Sequence, residues 1–496
     1  MSTSTADVVI VGAGFGGIVQ AIELMRAGVK DVVLLEEGEG VGGTWMWNTY
    51  PGAACDVPSH LYSYSFAQRR DWARLCSTQR EILDYAREVA GEYGVTPLVR
   101  TGRRVSACTF DEDRGRWIVE TEGGETYDAG AVVLATGQLH RPQTPAIPGL
   151  ESFAGASFHS ARWDHDIDLT GKDVAVVGTG ASAVQFVPEV ADRARTVTVY
   201  QRTGNWMMPR VNRVYPKWLL TALRRVPGLQ AARRAWLWGY TESLTQAIRH
   251  PRTLGRLVGL QSAAFMRRQL RGDPELRRAI WPDYTFGCKR VLFSSAWIPT
   301  LRQPHVSLVA DAITKITASG IRDATGTERR ADVIIWGTGF ATTGFMLPMA
   351  VTGRDGLTIA ESWSGGAHAH LGMTVPGFPS LFVMYGPNTN TSGGSILVYL
   401  EAQARYIRQA IVAARGAGTT IEVREEVERA SDRALQQRFA GTAWLDCDSW
   451  YRTDDGRIVT NWPDSMKRYV ARTKTLDLSQ FELRSSADAR QPEAAH

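Results

Sequence analysis

A chain of 496 residues, 44% hydrophobic and 22% charged, has an ordinary globular composition and is too long for one compact core, so two or three domains are expected. Its formal charge of +5 is mild and does not call for a nucleic-acid partner. There is no apolar run of roughly eighteen residues, and no basic start followed by an apolar stretch. Neither a membrane span nor a signal peptide is expected, and a cytoplasmic protein is the default reading.

Two stretches repeat one pattern: DVVIVGAGFGGIVQAIELMRAGVKDVVLLEE at 7–37 and KDVAVVGTGASAVQFVPEVADRARTVTVYQR at 172–202. Each reads as an apolar strand, a Gly-rich turn, a helix and a second apolar strand, the unit that binds a dinucleotide. In the first, Gly12 makes the turn, Gly14 admits a pyrophosphate to the helix N-terminus, and Gly17 lets helix and strand pack. Glu36 ends its second strand, where a carboxylate accepts ribose hydroxyls and repels a 2′-phosphate, so this half is expected to take FAD or NAD. The second unit has Gly178 and Gly180, with Ala183 in the third place, and Arg202 stands where an acid would be. A cation there suits the 2′-phosphate of NADPH; the alternative is a solvated surface arginine.

Two further strand–Gly turns, VVLATGQ at 132–138 and VIIWGTGF at 333–340, read as crossings back to a nucleotide domain. The expected fold is α/β: two Rossmann-like dinucleotide-binding domains, for FAD and NADP, with a helical insertion in the NADP domain. The FAD-binding domain is split into 1–145 and 331–480 around an NADP-binding domain at 146–330; the insertion covers about 207–288, and 481–496 is a disordered tail. The insertion is rich in paired arginines and reads as a solvated basic face, with a weak membrane-surface contact as the other option. Five cysteines, an odd number without a CxxC, point to no disulfide framework and no zinc or other metal site. They also argue against a disulfide reductase, because GGTWMWNTYPGAACD at 42–56 has only Cys55.

The segment FAGASFHSARWD at 153–164 fits the pattern FxGxxxHxxxW(P/D) through Phe153, Gly155, His159, Trp163 and Asp164. With GGTWMWNTYPGAACDVPSHLYSYSF at 42–66, QRTGNW at 201–206, CKR at 288–290 and GPNT at 386–389, it resembles the type I Baeyer–Villiger monooxygenases over nearly the whole chain. The resemblance implies that NADPH reduces FAD and that a C4a-peroxyflavin formed with O2 oxidises a ketone substrate to an ester or lactone. It implies Arg290 as the active-site arginine with Asp56 as its partner and Lys289 and Arg202 as 2′-phosphate contacts. Thr44, Trp45, Asp56 and Ser182 join the cofactor-binding candidates. The fingerprint is implied to be an interdomain linker, with Gly155 giving backbone freedom, Phe153 and Trp163 anchoring it, and His159 serving as a hydrogen-bonding latch or a structural histidine. Trp444 is the substrate-pocket candidate, with Trp450 as the alternative alignment. Departures from the family pattern are Ala54 for Arg, Val291 for Pro, and no His after GPNT. The alternatives are a flavin monooxygenase acting on nitrogen or sulfur, a non-catalytic FAD- and NADPH-binding redox sensor, and an uncoupled NADPH oxidase.

Overall fold

In the computed structural model, residues 3–485 are described, apart from 343, 347 and 392. The first sheet is built on the parallel pair Thr3–Val11 and Thr126–Leu134, with Val32–Leu35 on the far side of the first strand. Val8, Val9 and Ile10 are wholly buried. Runs of β-branched residues covered on both faces suit a parallel sheet, where alternation is not needed. The meander Val105–Asp111, Arg116–Thr121 and Thr126–Leu134 adds antiparallel strands. The chain then leaves, and returns to the same sheet through Ala350–Thr352 and Leu381–Val383.

The second sheet is wholly parallel, in the order Val306–Val309, Thr196–Tyr200, Asp173–Val177, Val333–Trp336 and Ala156–His159. This moves one sequence boundary. The sequence places Val333–Trp336 in the returning part of the first domain, but it lies between two strands of the second sheet. A buried apolar strand followed by glycines looks the same whichever sheet it joins, so only pairing distinguishes them. The insertion is helical: Lys217–Arg225, Leu229–Arg249, Arg256–Gln269 and Pro274–Ile280. Near the C-terminus, Ile396–Ala417 packs on Phe15–Arg26, and Phe481–Arg484 pairs antiparallel with Thr420–Val423. The first four residues of the expected tail are thus a strand; residues 486–496 lie outside the described residues.

Both Gly-rich turns close in the same way. The N–H of Gly12 donates to the Leu35 carbonyl at 2.8 Å, and that of Gly178 to the Tyr200 carbonyl at 2.9 Å. Each of these glycines holds a left-handed φ, +102° and +106°. A methyl group on Gly17 would lie 2.0 Å from the Gly12 carbonyl oxygen, so helix and turn touch with no room for a side chain. Gly17→Ala is expected to destabilise the protein by ~1–3 kcal/mol through overpacking and to lower flavin content in parallel. Flavin absorbance per protein and a thermal melt check this; wild-type values of both would contradict it.

One expectation about the cysteines is corrected. Cys288 and Cys447 form a disulfide, while Cys55, Cys76 and Cys108 are free and buried. The paired residues are 159 positions apart. No spacing rule signals such a pair, because only the fold brings it together.

Candidate active site at the junction of the two sheets

The Gly-rich turns of both sheets open onto one cleft of about 1990 Å3. Gly12, Gly14, Glu36, Thr44, Trp45 and Asp56 line it from the first side, and Gly178, Gly180, Ser182, Arg202, Lys289 and Arg290 from the second. On the first side, Glu36 is buried. Its Oε2 accepts from the Ala13 N–H at 2.7 Å and its Oε1 from the Gly38 N–H at 2.9 Å. Burial raises its carboxyl pKa, and these two donors oppose the rise. Each carboxylate oxygen keeps a further lone-pair site, so the group can still accept a ribose hydroxyl. Gly43 lies back to back with Gly14, where a methyl group would come within 2.9 Å of the Gly14 Cα. The Thr44–Trp47 turn therefore rides directly over the helix start, and Trp45 Nε1 donates to the Tyr62 hydroxyl at 3.0 Å.

On the second side, a methyl group at Gly180 would find only the Gly337 carbonyl oxygen, at 4.0 Å, so the backbone there is open to a ligand. Arg202 follows the strand Thr196–Tyr200, and Lys289 arrives from the end of the insertion. Burial lowers the Lys289 pKa, and the like charge of Arg202 lowers it further. Two cations held close enough to perturb each other make a site for a doubly charged anion. The Lys289 ammonium also sits 4.8 Å from the centre of the Tyr284 ring.

Asp56 joins the two sides. Its Oδ2 lies 3.7 Å from Arg290 Nη2, and its Oδ1 lies 4.0 Å from Arg210 Nη2. Gln185 Nε2 donates to the same Oδ1 at 3.3 Å. Burial raises the Asp56 pKa, while Arg290, Arg210 and Gln185 pull it down. For Arg290, burial acts to lower the pKa, but Asp56, Tyr451 and Tyr385 outweigh it and the group ends above its ordinary value. A guanidinium is charged at every working pH, and this one keeps its fork open to the cleft.

Arg210 and Gln185 were not singled out in the sequence. Gln185 clamps the Asp56 loop through the Ala54 N–H and carbonyl as well as through Asp56, and Arg210 Nη2 donates to the Cys55 carbonyl at 3.0 Å. A polar residue in the apolar run AVQFVPEV was the one available signal for Gln185; nothing in the sequence marked Arg210. Arg210→Gln removes a charge that depresses the Asp56 pKa. If Asp56 acts as a carboxylate, activity is lost as pH falls through that pKa, so the acid limb of kcat/KM is expected to move to higher pH in the variant. An unmoved acid limb would show that Arg210 has no electrostatic part.

Two sequence expectations change here. Trp444 is 0% exposed and packs among Leu61, Leu237, Phe439 and Tyr469, away from the cleft. Trp450, 39% exposed, and Tyr451 line the cleft instead. Segment WLDCDSWY carries two tryptophans six apart, and only packing decides which is core. The fingerprint also differs from a free linker. Ala156–His159 is an edge strand of the second sheet, and none of Phe153, Gly155, His159, Trp163 and Asp164 lines the cleft. A methyl group on Gly155 would meet the Asp332 carbonyl oxygen at 2.3 Å and the Phe153 ring at 2.7 Å, so glycine serves close approach rather than backbone freedom. Trp163 packs edge-on to Phe158 at 5.2 Å and against Phe186 at 5.4 Å. Asp164 caps its own turn by accepting from the Asp166 N–H. His159 Nδ1 accepts from the Ala161 N–H at 3.1 Å, and burial holds its pKa at about 4. It is therefore a neutral ring that ties the strand end to the following turn.

Residues 9–224 match the family described as pyridine nucleotide-disulphide oxidoreductase. A Baeyer–Villiger monooxygenase of Streptomyces coelicolor is 41% identical over 97% of this chain and 93% of its own length. The chain belongs to the Baeyer–Villiger monooxygenase family. The closed crystal structure of cyclohexanone monooxygenase superposes with a TM-score of 0.86 at 28% identity, covering 98% of this chain and all of that one. The crystal structure of OTEMO with FAD and NADP gives 0.87 at 27% identity, covering 97% of this chain and 100% of that one. The chain is accordingly an FAD- and NADP-dependent monooxygenase. The two Gly-rich cradles and the Arg202–Lys289 pair fit these cofactors. Among the described residues no helix is long and apolar enough to cross a membrane.

Proposed function

We propose that this Baeyer–Villiger monooxygenase inserts one atom of O2 beside the carbonyl of a ketone, giving an ester or a lactone. Bound FAD supplies the redox chemistry, taking a hydride from NADPH and activating O2. The observation that carries the reading is the Arg290–Asp56 pair at the junction of the two cradles. Carbonyl oxygenation develops negative charge on oxygen, and a preorganised guanidinium facing the cleft stabilises it. Asp56 keeps Arg290 in place on the cleft wall and balances its charge. Glu36 holds the FAD ribose, Gly14 and the Thr44–Trp45 turn admit its pyrophosphate, and Gly180 and Ser182 do the same for NADPH. Arg202 and Lys289 read the 2′-phosphate. Trp450 and Tyr451 contribute apolar walls to the ketone pocket.

The test is rapid mixing. The holoenzyme is reduced anaerobically with one equivalent of NADPH and then mixed with O2, with and without a panel of ketones. A long-lived flavin spectrum that collapses on adding a ketone, with ester or lactone recovered, supports the reading. Oxidation of an amine or sulfide panel with no ester from any ketone would replace it with heteroatom oxidation.

A further inference from the structure

The helical insertion has a surface that the oxygenation reading does not use. Between residues 207 and 288 there are fifteen Lys and Arg and four Asp and Glu, a net +11 where the whole chain carries +5. The sequence suggested a solvated basic face. The helix Leu229–Arg249 does the reverse. Its solvent face is Ala231, Ala232, Ala235, Trp236, Gly239, Tyr240 and Ser243, with no charge on it. Its arginines turn inward: Arg234 Nη1 donates to the carbonyls of His60 and Ser63, and Arg233 donates to the Tyr215 hydroxyl. Trp236, 64% exposed, stacks on Tyr240, 52% exposed, with ring centres 5.7 Å apart. The flanking helices add Trp218 at 71% and Leu257 at 57%. Exposed cations flank this helix in the chain, Arg225 before it and Arg252 and Arg256 after it, while Arg224 is paired with Asp71 at 3.2 Å.

We propose that this insertion docks on an anionic lipid bilayer surface, with Trp236, Tyr240, Trp218 and Leu257 in the interfacial region and the flanking arginines on lipid phosphates. Charge complementarity selects this occupant. Exposed aromatics on a helix flanked by exposed arginines match the interface of a bilayer bearing negative headgroups. Pairing of two copies through the same face would set two strongly cationic surfaces against each other. Tyr240 also lines the cleft, as do Thr241, Leu244 and Ile248 of the same helix. The docked face is therefore the outer side of a cleft wall, which suits uptake of a lipophilic substrate. The proposal does not depend on which compound is oxidised.

The test is co-sedimentation of the holoenzyme with phosphatidylcholine vesicles, with and without phosphatidylglycerol, at low and high salt. The holoenzyme is expected to pellet with the anionic vesicles at low salt and to remain in solution with pure phosphatidylcholine. Trp236→Ser with Trp218→Ser, and separately Arg225→Glu with Arg252→Glu, are each expected to lower the bound fraction about tenfold. Unchanged activity on a water-soluble substrate checks that these variants fold. Failure to pellet with anionic vesicles at low salt would overturn the proposal. So would pelleting that the substitutions leave intact, or a dimer in light scattering that Trp236→Ser dissociates.

Discussion

Arg290→Ala is expected to lower ketone oxygenation by about 100- to 1,000-fold while FAD stays bound and NADPH oxidation continues with release of hydrogen peroxide. The guanidinium lies 3.7 Å from Asp56 and opens on the cleft, and it is charged at every working pH. Removing it takes away the charge that faces a developing oxyanion and leaves Asp56 buried beside the more distant Arg210. Both changes act on oxygen transfer, and neither touches the Gly-rich cradles. Arg290→Lys keeps the charge but loses the planar fork, so it is expected to recover only part of the rate. Product yield per NADPH consumed is the measurement. A variant with wild-type coupling and a rate within a few-fold of wild type would remove Arg290 from the chemistry and leave the pair a structural tie.

Lys289→Ala and Arg202→Ala are each expected to weaken NADPH binding by roughly 1.5–3 kcal/mol, the range for a hydrogen bond to a charged group. That is about a 10- to 150-fold loss in affinity. NADH lacks the 2′-phosphate and should be nearly unaffected, so the preference between the two cofactors falls by the same factor. The like charge of Arg202 already depresses the Lys289 pKa. Removing either cation relieves that repulsion and partly offsets its own loss, so the double variant is expected to lose somewhat more than the sum of the single losses. Dissociation constants for both nucleotides, rather than KM alone, make the comparison clean. Equal losses for NADPH and NADH would show that the two cations act elsewhere.

Much of the site was legible because its determinants are local. The roles of Gly12, Gly14 and Gly17 follow from what a strand–turn–helix can accommodate, and the same spacing recurs at Gly178 and Gly180. Arg202 follows from its place after the second strand of its unit. Arg290 and Asp56 came from the family resemblance, and the geometry brings them together. Gln185 and Arg210 were missed because their partners, the Cys55–Asp56 loop and Ala54, lie far away in sequence.

The sequence by itself determined the two dinucleotide units and the membership of the family, because turn sterics and strand hydrophobicity act over a few residues. Only the tertiary structure decided that Val333–Trp336 belongs to the second sheet, that Cys288 meets Cys447, and that Trp450 rather than Trp444 faces the cleft. It also decided that Gly155 is fixed by the approach of Asp332, and that the arginines of Leu229–Arg249 turn inward. Each of these depends on which distant surfaces touch, and contact at long separation leaves no periodic mark in the chain.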